Sequence, residues 1–138
     1  MTGHLAEWQE RLRKAWPESN FEIRVENNGL TVEIGHGTIA DLSPLQGMPL
    51  TNLYCAFNRI QSLEPLRGMQ LLTLDCSGNP ISDLDPLRGM PLLKLVCECG
   101  RIKSLAPLKG MPLLVLNCGG NSALDGDLSP LRGMRLTF

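Results

Sequence analysis

The sequence predicts a single α/β domain, a right-handed solenoid of short repeats with a parallel β-sheet on one face and turns or 3₁₀ segments on the other. Three observations support this prediction. A five-residue motif recurs at a nearly constant interval, a strand-like motif recurs with it, and a helix pattern and a hairpin pattern precede both. With 138 residues, 43% hydrophobic and 20% charged, the chain has the composition of one ordinary globular domain.

The five-residue motif is Pro-Leu-x-Gly-Met. Its copies begin at Pro44, Pro65, Pro86, Pro107 and Pro130, so that they start 21, 21, 21 and 23 residues apart. The segment is too short for more than one helical turn, and its glycine favours a turn. Such regular copies are typical of repeat proteins, in which each repeat buries its apolar side only against its neighbours.

The strand-like motif is L-x-x-L-x-C-x-x-N-x-I. Its copies read LTNLYCAFNRI from Leu50, LLTLDCSGNPI from Leu71, LLKLVCECGRI from Leu92 and LLVLNCGGNSA from Leu113. This motif resembles that of the leucine-rich-repeat family, with cysteine in the place of the third leucine. A narrower resemblance, to bacterial internalin-type repeats and to short planctomycete repeats, lies in NPISDLDPLRGMPLLKL. The resemblance covers residues 29 to 138 and implies a protein- or peptide-binding scaffold.

A helix and a hairpin are predicted before the repeats. Apolar residues recur at helical spacing from Leu5 to Trp16, and Pro17 ends that pattern. The segments FEIRV and LTVEI flank an Asn-Gly pair, which is a strong signal for a tight hairpin turn. We expect residues 1–28, the helix and the first hairpin strand, to cap the repeats of residues 29–126, with a partial repeat over residues 127–138.

One cysteine in each repeat falls at an inward-facing strand position. These four residues are Cys55, Cys76, Cys97 and Cys118. Cysteine packs as a small apolar residue, so we expect a buried column of reduced thiols; a metal or redox ladder is the alternative. Cys99 lies outside the column, at the exposed end of its strand. The resemblance further implies that Asn58, Asn79 and Asn121 form a ladder of buried amides bonded to the backbone.

The residues between the core positions of the strands point away from the core, because successive side chains of a strand alternate in direction. We call this outward side the strand face. Its residues vary from repeat to repeat, and Tyr54 and Phe57 are the expected anchors, since aromatic side chains dominate many interfaces. The alternative is an ordinary solvated surface. The candidates for binding a partner are Glu33, Asn52, Tyr54, Phe57, Thr73, Asp75, Lys94, Val96, Glu98, Val115 and Asn117.

The last repeat supplies a second hypothesis. Only Arg135-Leu136-Thr137-Phe138 follow the fifth Pro-Leu-x-Gly-Met copy, which leaves the edge of the last strand available for pairing. Self-association into a homodimer through Leu136 and Phe138 is therefore an alternative to partner binding. A third hypothesis is that the chain is a piece of a longer solenoid, either natural or designed.

Several other functions are disfavoured by the sequence. A net charge of −1 with scattered Lys and Arg argues against nucleic-acid binding. The lack of a long apolar run argues against a membrane span or a signal peptide, so we expect a cytoplasmic protein. No phosphate-binding glycine loop indicates a cofactor. His36 and Cys99 are three strands apart, about 14 Å at 4.8 Å per strand, too far for a catalytic pair. Asp75 and Glu98 are expected to be solvated. We therefore expect no enzymatic activity.

Overall fold

Six strands form one sheet in which the spatial order of the strands equals their order along the chain. The computed structural model describes residues 2–27 and 29–137. β1 pairs antiparallel with β2, and each later pair is parallel, which confirms the predicted solenoid with its parallel sheet. The elements are α1 (Leu5–Ala15), β1 (Phe21–Glu26), β2 (Gly29–Ile34), β3 (Leu50–Tyr54), β4 (Thr73–Asp75), β5 (Lys94–Val96) and β6 (Val115–Asn117).

Short 3₁₀ turns complete each repeat, as the Pro-Leu-x-Gly-Met motif predicts. They lie at Ser43–Leu45, Glu64–Leu66, Asp85–Leu87, Ala106–Leu108 and Ser129–Leu131. The motif glycine follows each turn at a positive φ, for example +83° at Gly68, which a β-carbon would disfavour. A side chain two residues before each turn accepts its first backbone N–H: Asp83 Oδ1 bonds the N–H of Asp85 at 2.8 Å. These caps were not predicted from the sequence.

The core is one continuous apolar cluster that extends from α1 to the last repeat. In the repeat that begins at Leu71, the side chains of Leu74, Cys76, Ile81 and Leu84 are all buried, and the equivalent residues of the other central repeats are buried too. The predicted core columns are therefore confirmed. Burial of one leucine side chain contributes roughly 1.5–3 kcal/mol, so the columns supply most of the stabilising energy of the solenoid.

The N-terminal helix covers the first repeat, as expected. Trp8 and Trp16 are buried against the core, and the indole Nε1 of Trp16 donates a hydrogen bond to the carbonyl oxygen of Asp41 at 3.3 Å. Asn28 of the predicted Asn-Gly turn lies outside the described residues. Within residues 2–27 and 29–137, no helix has the length and apolar character needed to cross a membrane.

The asparagine ladder is present at its three expected positions. Asn58, Asn79 and Asn121 are buried, and each side-chain amide bonds backbone groups of its own repeat and of the preceding one. Gly100 occupies the equivalent position of the repeat between Asn79 and Asn121, and it has no side-chain amide. There the N–H of Ile81 donates instead to the carbonyl oxygen of Asn79 at 2.7 Å, so the backbone makes a local turn around the missing side chain.

Candidate binding surface on the strand face

Strand pairing arranges the candidate residues in two columns across the sheet. On β3, β4 and β5 the first column directly precedes a buried leucine and the second lies between that leucine and a buried cysteine, so both columns project onto the strand face. The register agrees with the one that the 21-residue period predicts. One column runs Thr31, Asn52, Thr73, Lys94, Val115, and the other runs Glu33, Tyr54, Asp75, Val96, Asn117.

The first column is not fully exposed, contrary to expectation. Asn52 is only 6% exposed and Thr31 is buried as well. The Nδ2 of Asn52 donates to Thr31 Oγ1 at 3.0 Å, and Thr31 Oγ1 donates in turn to Glu26 Oε2 at 3.0 Å. The expected exposure of Asn52 is therefore wrong, because the antiparallel hairpin places additional side chains over the start of this column. Asn52 supports its neighbours and offers little surface to a partner.

Tyr54 lies half-buried beside a small pocket near the first strands. The pocket has a volume of about 270 Å³. It combines an aromatic ring, a methyl group, an imidazole and ionised groups, which is a suitable environment for one side chain of a partner. The residues around it are Arg24, Glu33, Ile34, His36, Tyr54, Ala56 and Asp75.

Arg24 organises the acidic end of the strand face. Its guanidinium lies 3.1 Å from a carboxylate oxygen of Glu33 and 3.3 Å from oxygens of both Glu22 and Glu26. The hydrogen bonds that Arg24 donates to Glu33, and then to Glu26, raise the pKa of Arg24 above its ordinary value. Sequence analysis missed this cluster. The alternation of Glu22, Arg24 and Glu26 along β1 was the available signal, since alternate residues share one face of a strand.

Phe57 occupies an unusual backbone position at the rim of the strand face. Its φ is +57°, in the region that non-glycine residues rarely adopt, and its side chain is 52% exposed. The ring packs edge-on against His36, with 4.9 Å between ring centroids. Gly78 is the equivalent residue of the next repeat, and a β-carbon there would overlap the Phe57 ring. The glycine thus provides the space in which the exposed aromatic ring lies.

Two carboxylates near the centre of the strand face are available to a partner. Asp75 Oδ1 accepts a hydrogen bond from the backbone N–H of Ser77 at 3.1 Å. Among the residues that the structure describes, neither Asp75 nor Glu98 forms an ion pair with a lysine or arginine, although Lys94 lies on β5 next to β4, where it pairs with Thr73. Glu98 is exposed, whereas Asp75 is half-buried.

An apolar column that the sequence analysis did not single out borders the strand face. Leu93 is 38% exposed and Leu114 is 42% exposed, and both directly precede strands β5 and β6. Leu72 is the equivalent, half-buried residue before β4. Backbone hydrogen bonds of 2.8 Å from Leu93 to Leu72 and from Leu114 to Leu93 hold them side by side. The Leu-Leu pairs at the start of each motif were the available signal.

The cysteine column is buried as expected. Cys55, Cys76 and Cys97 are buried, Cys118 is half-buried, and all five cysteines of the chain are free thiols. Burial raises the pKa of the Cys55 thiol to about 12, and the nearby Asp75 carboxylate adds to the shift. Within residues 2–27 and 29–137, no group of three or more His, Cys, Asp or Glu side chains is placed to hold a metal ion.

The C-terminal end of the solenoid begins a further strand. The backbone N–H of Thr137 donates to the carbonyl oxygen of Leu114 at 2.7 Å, which continues the sheet ladder by one step. Leu136 therefore falls in the column of the first motif leucine, where it is half-buried against the core. Phe138, the other candidate for self-association, lies outside the described residues.

Comparison with known proteins agrees with this architecture. A family model described as leucine-rich repeats (2 copies) matches residues 50–89. The crystal structure of internalin C2 from Listeria monocytogenes shares 31% sequence identity and a TM-score of 0.69, over 73% of this chain and 46% of that one. The crystal structure of an internalin F from the same organism has 22% identity and a TM-score of 0.60, over 72% and 37% of the two chains, and that likeness concerns the fold alone.

This chain spans less than half the length of either internalin. No curated protein sequence matched it. Leucine-rich-repeat proteins are typically protein-interaction scaffolds and not enzymes. The repeated motif, its parallel strands and its asparagine ladder agree with the family model over residues 50–89 and with the internalin C2 structure, so this solenoid is built of leucine-rich repeats similar to those of internalins.

Proposed function

We propose that the chain binds a segment of another protein on its strand face and catalyses no reaction. The observation that carries this proposal is the contrast between the two sides of the sheet. Inward positions repeat the same residue types, whereas outward positions change from Tyr54 to Asp75 to Val96 along a single column. A rigid sheet that offers a different side chain at each step suits the recognition of one particular sequence.

The anchors of the proposed site are Tyr54 and Phe57. Both border His36: Tyr54 shares the 270 Å³ pocket with it, and the Phe57 ring packs against it. Aromatic side chains next to small and charged residues are the usual points of high binding energy in interfaces. Ala56 is the small residue here, and it lies between the two aromatic positions, so a partner side chain can approach the sheet closely.

We expect the double substitution Tyr54→Ala and Phe57→Ala to weaken binding more than tenfold while the domain stays folded, because both side chains contribute to the surface and neither belongs to the core. The probe is a phage-displayed library of random 16-residue peptides selected on the wild-type protein in reducing buffer. The dissociation constants of the selected peptides are then measured on each variant by fluorescence anisotropy, and folding is checked by circular dichroism.

Val25→Ala is the matched control. Val25 is an exposed apolar residue of β1, but it alternates with Arg24 and so lies on the other side of the sheet. Selected peptides should bind this variant as tightly as they bind wild type. Equal affinity for the double variant and wild type would show that the strand face is not the binding site, as would a selection that enriches no peptide.

Self-association through the C-terminal end of the solenoid is the second candidate function. The difference in burial along one leucine column favours it. Leu42, Leu63, Leu84 and Leu105 form a fully buried column, whereas Leu128, the next member of that column, is 60% exposed. Each leucine of the column is covered by the following repeat, so an added subunit would bury Leu128 in the same way. A homodimer joined at this end would protect these apolar groups from water.

We expect a homodimer formed in this way to dissociate when Leu128 or Leu136 is replaced with aspartate, since a buried charge without a partner is costly at an interface. The measurement is sedimentation over a hundredfold range of protein concentration, with reductant present to prevent crosslinks through Cys99. Arg135→Glu is the control for the change in charge. A wild-type protein that remains monomeric throughout would exclude this candidate.

The cytoplasmic location of the protein remains a proposal. It is supported by the five free thiols, because a reducing compartment keeps such cysteines unpaired. A protein or peptide is the proposed partner, while nucleic acid and membrane remain disfavoured by the charge and composition of the chain.

A further inference from the structure

The strand face has two chemically different halves. Toward β2 it is acidic, with carboxylates at Glu22, Glu26, Glu33 and Asp75 opposed by Arg24 alone. Toward β6 it gains apolar side chains, which lie among the exposed Lys94, Glu98 and Asn117. A partner that covers the whole face must therefore carry positive charge at one end and apolar side chains at the other.

The apolar half is a compact patch. The exposed Leu93 and Leu114 directly precede Lys94 and Val115, and Val96 lies two residues further along β5. Val96 and Val115 are both half-buried and belong to the two outward columns of the sheet. Apolar side chains gathered in this way on a folded surface mark a site where another apolar surface packs.

The spacing of these residues selects the conformation of the partner. Neighbouring strands are about 4.8 Å apart, so the leucine column from Leu72 to Leu114 spans about 10 Å over two steps. A helix lying across the strands presents one residue to the column at every turn, and positions i and i+7 are about 10.5 Å apart along its axis. In an extended segment, alternate side chains share one face, and residues i and i+4 are about 13 Å apart. This distance exceeds the roughly 10 Å of the column, so the side chains of an extended segment no longer match the leucines after two strands.

We propose that the partner segment is an amphipathic α-helix that lies across the strands. Its apolar stripe packs on Leu93, Leu114 and Val115, and its lysine or arginine side chains contact Asp75 and Glu98. This proposal rests on the proposed function, because it specifies the occupant of the same face. From β2 to β6 the face spans four strand steps, about 19 Å, which corresponds to about 13 helical residues.

The peptide selection described above tests this proposal through the pattern of the selected sequences. We expect apolar residues at i, i+3 or i+4, and i+7, together with net positive charge. A proline placed at the centre of a selected peptide should weaken its binding more than tenfold, because proline breaks a helix. Leu93→Ser with Leu114→Ser should weaken binding more than tenfold, and Asp75→Asn with Glu98→Gln should reduce the dependence of binding on salt.

Failure of the helix proposal is distinguishable from failure of the proposed function. The helix proposal would be wrong, with strand-face binding intact, if the selected peptides depend on Tyr54 and Phe57 but lack the expected features. Such peptides would show alternating apolar residues, tolerate the central proline or carry net negative charge. Peptides that bind all strand-face variants as tightly as wild type would overturn both proposals. Val25→Ala remains the control for general effects of a lost surface side chain.

Discussion

Replacing Asn79 with alanine is expected to lower the free energy of unfolding by at least about 3 kcal/mol, because buried groups left without partners cost roughly 1–3 kcal/mol each. Asn79 is only 1% exposed. Its Oδ1 accepts hydrogen bonds from the backbone N–H groups of Asn58 at 3.2 Å and Ile60 at 3.0 Å. Its Nδ2 donates to three backbone carbonyl oxygens, at distances of 3.0 and 3.1 Å.

The measurement is urea-induced unfolding followed by circular dichroism, with Asn117→Ala as the control. Asn117 is an exposed asparagine of the strand face, so its loss should change the free energy of unfolding by less than about 0.5 kcal/mol. Equal effects of the two substitutions would contradict the structural role of the ladder. The glycine at the equivalent position, Gly100, is consistent with this prediction. The N–H of Ile81, which a ladder side chain at position 100 would otherwise bond, donates to the carbonyl oxygen of Asn79.

Alkaline pH is expected to destabilise the protein through its cysteine column. Burial raises the pKa of Cys55 from 9.0 to about 12 and holds that of Cys76 well above 9.0. Between these values the unfolded chain loses thiol protons that the folded chain retains, so the stabilising contribution is complete below about pH 9 and is lost as the pH rises toward 12. For Cys55 alone, three pKa units correspond to roughly 4 kcal/mol.

This prediction is checked by urea unfolding at pH 7, 9, 10 and 11 in the presence of reductant. Replacing Cys55, Cys76 or Cys97 with alanine should each flatten the decline above pH 9, although the small cavity lowers stability at every pH. Cys99→Ala removes an exposed thiol and should leave the decline unchanged. An identical decline in wild type and in all three column variants would show that the cysteine column does not cause the alkaline effect.

Much of the architecture was predictable because each repeat encodes the same local geometry. The columns of Leu74, Cys76 and Ile81, the 3₁₀ turns and the helical cap with Trp8 and Trp16 follow from period and pattern alone. The roles of the strand-face residues remain predictions.

Asn52 and the Arg24 cluster differ from the expectation because of the N-terminal hairpin, which packs beside the first repeat. Asn52 was expected to be exposed because its strand position points outward, but it is buried and bonds Thr31 of hairpin β1–β2, which in turn bonds Glu26. The Arg24 cluster was missed for the same reason, since it forms only when the two hairpin strands pair.

The sequence by itself determined the period, the register and the residues that face the core, because these depend on spacing along a single chain. Only the tertiary structure decided which equivalent residues are covered. Leu105 and Leu128 occupy the same position of the motif, yet one is fully buried and the other is 60% exposed. The physical reason is that a solenoid buries each apolar column one repeat at a time, so exposure depends on the neighbour and not on the residue.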